Sequence, residues 1–113
     1  MAVFNGMFPI LPGKEKAART FAEQTIGPRR GDFATLQGRA PITRETWTVQ
    51  TTPAGSFMLV WFEGDVEAAF QDLATTQDDF SSWFRAQILE VTGVDMTQPD
   101  DSPPPETVLD WRA

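Results

Sequence analysis

Cysteine, histidine and tyrosine are all missing from this 113-residue chain, and each absence removes a class of chemistry. Without cysteine there are no disulfides and no thiolate metal sites, so stability must come from packing, and the redox compartment stays open on that ground. Without histidine the chain lacks the side chain most used for acid–base work near neutrality, for haem ligation and for zinc. Without tyrosine, oxygenase schemes that need a phenol are weakened. Positive charge is also scarce: nine Lys and Arg stand against sixteen Asp and Glu, a net charge of -7. Such a surface repels phosphate backbones and anionic head groups, so neither nucleic acid nor a membrane is an expected partner. No apolar run approaches the roughly 20 residues of a membrane span. Residues 1–13 lack the positive leader, the longer apolar segment and the small-residue cleavage site of a signal peptide, and the expectation is a cytoplasmic protein.

Apolar content is ample at 41%, with nine Phe and four Trp, which indicates a packed core in one domain. Ser56 to Phe62 (Ser-Phe-Met-Leu-Val-Trp-Phe) is apolar at odd and even positions alike. Successive strand residues point to opposite faces, so a strand of this kind must be covered on both sides. Val3 to Leu11 has the same character, although Pro9 cannot donate to a ladder and restricts pairing there. Ile42 to Thr51 instead alternates, with Arg44, Thr46, Thr48 and Gln50 on one side and Trp47 and Val49 on the other. It reads as a strand wetted on one face. Thr52-Pro53-Ala54-Gly55 supplies the turn that folds the next strand back antiparallel.

Between the strands the apolar period becomes helical. Ala17, Ala18, Phe21, Ala22 and Ile26 form one stripe, stopped by Gly27-Pro28. Arg29 to Arg39 suits a short irregular helix or a loop anchored by Phe33 and Leu36. Asp65 caps a helix carrying Val66, Ala69, Phe70 and Leu73. After a break, Asp78 caps another carrying Phe80, Trp83, Phe84, Ile88 and Val91, ended by Gly93. The order strand, helix, strand, strand, helix, with a further strand available in the tail, is the ferredoxin-like βαββα(β) arrangement with an antiparallel sheet. In it the first and third strands are central, and these are the two apolar on both faces. Two helices cover one face, so the other is expected to meet a second copy in a sheet-to-sheet homodimer. Residues 1–94 form that α+β domain; residues 95–113 form a Pro/Asp-rich connector and a C-terminal segment, Val108, Leu109 and Trp111, expected to dock as a strand or an arm.

Leu11-Pro12-Gly13-Lys14, Ile42-Thr43-Arg44-Glu45, Thr52-Pro53-Ala54-Gly55, and Asp79-Phe80 with Trp83-Phe84-Arg85 together resemble the dimeric α+β barrel superfamily. More narrowly they resemble a group of small uncharacterised bacterial proteins within it. The resemblance runs from about Met7 to Gly93. It implies a homodimer whose sheets close into an α+β barrel. The superfamily includes cofactor-independent monooxygenases, haem-degrading enzymes, isomerases and members with no known chemistry. Haem-degrading relatives use a histidine on the second helix, which Asp78 to Val91 does not contain, so no haem is expected. Asn5 and Trp61 resemble the Asn and Trp that line pockets in the oxygenase branch.

The residues themselves offer few sites. Asn5 needs hydrogen-bond partners if buried, and a ligand is one choice; backbone or water is the plainer one. Arg44 and Glu45 point to opposite faces, so they cannot act as a pair. Glu45 shares the face of Trp47, where it forms an interface ion pair, the plainer reading, or stands as an unpaired carboxylate with a raised pKa that serves as a base. Phe80, Trp83 and Phe84, with Trp47 or Trp61, line a cavity or simply fill the core. Arg29, Arg30 and Arg39 flank glycines without a phosphate-loop motif, and Asp78-Asp79 and Asp100-Asp101 lack calcium-ligand spacing. No cofactor and no metal are assigned. The expectation is a dimeric protein binding a small apolar or aromatic molecule between sheet and helices through Asn5, Glu45, Trp47, Trp61, Phe80, Trp83 and Phe84. Two alternatives stand beside it: a non-catalytic dimeric interaction or regulatory module with the tail as partner-binding arm, and a stress-type protein with no pocket.

Overall fold

A computed structural model describes residues 2–98, 100 and 102–113; Met1 and, within the expected connector, Pro99 and Asp101 lie outside the described residues. The chain forms β1 (Ala2–Ile10), α1 (Glu15–Ile26), α2 (Arg30–Arg39), β2 (Arg44–Thr52), β3 (Gly55–Gly64), α3 (Val66–Thr75) and α4 (Asp79–Thr92). This is an α+β fold with an open three-stranded antiparallel sheet in the order β1-β3-β2, compatible with a ferredoxin-like arrangement. β3 is the central strand. β1 was expected to be central as well, but among the described residues no fourth strand pairs with its outer side, so it lies at an edge, where a proline such as Pro9 is tolerated.

Local chemistry accounts for most of the boundaries. The Asp65 carboxylate accepts from Ala68 N at 3.0 Å to start α3, and Asp78 accepts from Ser81 N at 2.7 Å to start α4. Gly93, at φ 77°, ends α4 and donates its N–H to Leu89 O at 2.8 Å. In the β2–β3 turn Gly55 has φ 130°, which a side chain would oppose, and Thr52 Oγ1 donates to Gly55 O at 2.9 Å. The segment left open between helix and loop is helical throughout as α2. Phe33 and Leu36 face inward, and Leu36 is buried in the same cluster as Phe21, Phe80 and Phe84.

Register fixes which residues share a face. Phe8 stands opposite Met58, which stands opposite Val49; Phe4 stands opposite Phe62, which stands opposite Glu45. All the sheet residues packed in the two core clusters (Phe8, Ile10, Trp47, Val49, Met58, Val60) lie on this side, beneath the helices. Phe4 continues it, with its ring centroid 5.2 Å from Phe62 and 4.9 Å from Phe70 of α3. Gly6 lies between Phe4 and Phe8, and a Cβ there would come within 2.6 Å of the Phe4 ring, so the two rings close over it only because it is glycine.

The other side of the sheet carries Asn5, Met7 and Pro9, then Phe57, Leu59 and Trp61, then Thr46, Thr48 and Gln50. Among the described residues no helix covers it, and Met7 is 67% exposed. The C-terminal residues 103–113 adopt neither helix nor strand, and Val108, Leu109 and Trp111 are 77–88% exposed. The tail approaches the domain through an ion pair of 3.8 Å between Arg112 and Glu63. Among the described residues no helix is long and apolar enough to cross a membrane.

Candidate functional site

β2 places Glu45 and Trp47 on the helix-covered side, two residues apart and therefore on the same face. The Trp47 indole Nε1–H donates to Glu45 Oε2 at 2.5 Å, and Gln37 Nε2, reaching down from α2, donates to Glu45 Oε1 at 2.8 Å. Both carboxyl oxygens are thus held by donors carried on rigid elements. Burial pushes the Glu45 pKa above the usual glutamate range; the hydrogen bonds from Trp47 and Gln37 oppose that rise without cancelling it. A carboxyl group of this kind exchanges its proton nearer neutrality than an exposed one.

Two cavities meet at this group. One, of about 100 Å³, lies between sheet and helices, with Phe4, Phe33, Phe62, Phe84 and Leu73 among the apolar residues around it. The second, of about 180 Å³, is lined by Ala22, Thr25, Ile26, Phe33, Glu45 and Trp47. Phe33, Glu45 and Trp47 border both. Since an apolar cavity of about 150 Å³ holds benzene, the second space suits a molecule of one ring or a short chain, and the first is smaller than one ring needs.

The seven residues expected to converge do not form one site. Glu45, Trp47 and Phe84 border the first cavity. Phe80 is buried core, packed at 5.6 Å against both Phe84 and Trp83. Trp83 lies against Phe21 at 5.5 Å, with the Arg29 guanidinium 4.1 Å above its ring, and borders neither cavity. Asn5 and Trp61 face each other across β1 and β3 on the uncovered side. Sheet thickness separates them from Glu45.

Gln37 and Phe33 are the site residues that the sequence reading passed over. Their signal was the spacing Phe33, Leu36, Gln37, which is one helical face. The arginines have separate duties. Arg39 joins α2 to α3 and α4 through Asp72 at 2.8 Å and Asp78 at 3.7 Å, while Arg29 covers Trp83. Asp72 Oδ1 also accepts from Thr76 Oγ1, and its Oδ2 is buried without a partner among the described residues. Among the described residues no group of three or more acidic side chains is placed to hold a metal ion.

No protein-family model, curated protein or solved structure matches the chain. The site has to be understood from its own geometry.

Proposed function

We propose that this chain binds a small apolar or aromatic molecule between its sheet and helices, with Glu45 as the polar group that orients it. One observation carries the reading: a carboxyl group with both oxygens held in place borders cavities that are otherwise almost wholly apolar. Structural carboxylates usually stay at the surface, where they avoid the cost of burying a charge. Placed here, Glu45 is suited to take a proton from a bound molecule and return it, the step of a cofactor-free isomerase; in a cofactor-free monooxygenase the same abstraction would precede reaction of the substrate anion with dioxygen, the oxidant.

The functional unit under this reading is a homodimer of the dimeric α+β barrel type. The support is the uncovered sheet face, where Phe57, Leu59 and Trp61 of β3 run beside Met7 and Pro9 of β1. Face-to-face packing of two such sheets would bury these side chains and remove an aggregation hazard.

Toluene titrated into the protein tests the cavity. The Trp47 indole N–H resonance should move while that of Trp61 stays put; movement of neither, at toluene saturation, would remove the ligand-binding reading. A second reading, a non-catalytic interaction module, draws on the exposed Val108, Leu109 and Trp111 of the tail. Under it, deleting residues 103–113 leaves the urea midpoint unchanged and toluene without effect.

A further inference from the structure

From the hydrogen-bond inventory around Glu45, which rests on the ligand-binding reading above, we infer that the site selects small organic amines, bound as the ammonium, over acceptor-bearing or anionic molecules of the same size. The polar side chains bordering the two cavities have few hydrogens left to donate. The Trp47 N–H is spent on Glu45 Oε2. Thr25 Oγ1 donates to Phe21 O at 2.8 Å and keeps its lone pairs; Thr92 Oγ1 donates to Ile88 O at 2.7 Å and already accepts from Val94 N at 3.2 Å, so it has little left to offer. Gln37 gives one N–H to Glu45 Oε1 and keeps its carbonyl oxygen and one further N–H. No lysine or arginine borders either cavity.

What remains, within mostly apolar walls, is a few acceptors and a single unspent amide hydrogen. A ligand that donates finds Glu45 from either cavity, with Gln37 beside it in the first and Thr25 beside it in the second. A carbonyl or carboxylate finds almost none, and a polar group brought into such a space without a partner is disfavoured. Among donors an ammonium gains most. It forms a charge-assisted hydrogen bond to a carboxylate that is half-buried and has no counter-ion among the described residues, and Phe33 and Trp47, which border both cavities, add aromatic surface to which cations are attracted. The net charge of -7 favours approach of a cation and opposes that of an anion. The cavity of about 180 Å³ limits the amine to one ring or a short chain.

The test is a one-ring series matched in size: toluene, benzyl alcohol, benzaldehyde, benzylamine and benzoate, titrated calorimetrically into the full chain at neutral pH. Benzylamine should bind at least about tenfold tighter than toluene, the factor that a hydrogen bond to a charged group supplies. Benzyl alcohol should fall between them and benzoate should not bind. In Glu45→Gln, which keeps the volume and lets Gln37 turn its amide to match, the benzylamine advantage should vanish while toluene binding persists. Toluene binding with no preference for benzylamine would overturn this inference and leave the cavity reading intact. Benzaldehyde or benzoate binding as tightly as benzylamine would overturn it equally. If no member of the series binds, the cavity reading falls, and this inference with it.

Discussion

Arg44 and Glu45 are adjacent in one strand, and each meets a tryptophan on its own side of the sheet, yet the two meetings have different outcomes. Above the sheet, beneath the helices, Glu45 takes the edge of Trp47 as a hydrogen-bond donor, and burial raises its pKa. Below, the Arg44 guanidinium lies over the face of Trp61, 5.8 Å from the ring centroid, on the side that no helix covers. The same pairing of charge and indole makes a carboxyl group of raised pKa in one place and an exposed cation–π contact in the other. Which face a residue occupies decides its chemistry, and a single step along β2 changes the face.

The largest effect separating the two sides is expected in the core. Phe84 packs against Phe21, Phe33, Trp47 and Phe80 at ring distances of 5.1–5.8 Å. Phe84→Ala should lower urea stability by about 3–5 kcal/mol, as large cavities in a closed core do. On the uncovered side, Trp61→Glu should leave the far-ultraviolet spectrum intact and weaken self-association by about a hundredfold or more, about 2.7 kcal/mol. Sedimentation across a concentration series reads it directly. A monomer at every concentration in the parent chain would remove the dimer from the proposal.

Adjacent residues of β1 sharpen the contrast further. Gly6→Ala pushes a methyl group into a Phe4 ring already held by Phe62 and Phe70, and should cost about 1–3 kcal/mol in urea. The subtlest test concerns protonation of Glu45. Its folded pKa lies above the unfolded one, so the folded chain holds that proton more tightly. The resulting stability is full below the ordinary glutamate pKa of about 4.3 and is lost as pH rises through the folded value. The stability of the parent relative to Glu45→Gln should therefore decline from about pH 4 upward; a flat difference would show that the carboxyl group is not buried in solution. Asn5→Ala, one position from Gly6 and on the exposed side, should change monomer stability by less than about 0.5 kcal/mol.

The element order, the β2–β3 turn and both aspartate caps were legible in the sequence because each depends on short-range chemistry. The antiparallel sheet followed from alternation in β2 and from the turn at Gly55. Helix α2 was harder, since Gly31 and Gly38 lower its intrinsic propensity and packing of Phe33 and Leu36 supplies what propensity does not. The site was half legible. Glu45 and Trp47 share a parity in a strand that alternates, so their common face could be read. Asn5 and Trp61 sit in strands that carry apolar residues on both faces, where parity gives no sign of which side the helices choose. The edge position of β1 is a long-range fact, of which Pro9 was the one local sign.

That ambiguity has a consequence for how the hairpin assembles. β3 alone would accept the helices on either side, because Phe57, Leu59 and Trp61 are as oily as Met58, Val60 and Phe62. β2 breaks the tie. If it slipped by one residue against β3, Arg44 would be thrust among phenylalanine rings, and Trp47 would turn outward with Val49. The misregistered hairpin would strand a guanidinium in oil, so the strand with the fewest apolar residues dictates which way up its greasier neighbour is laid.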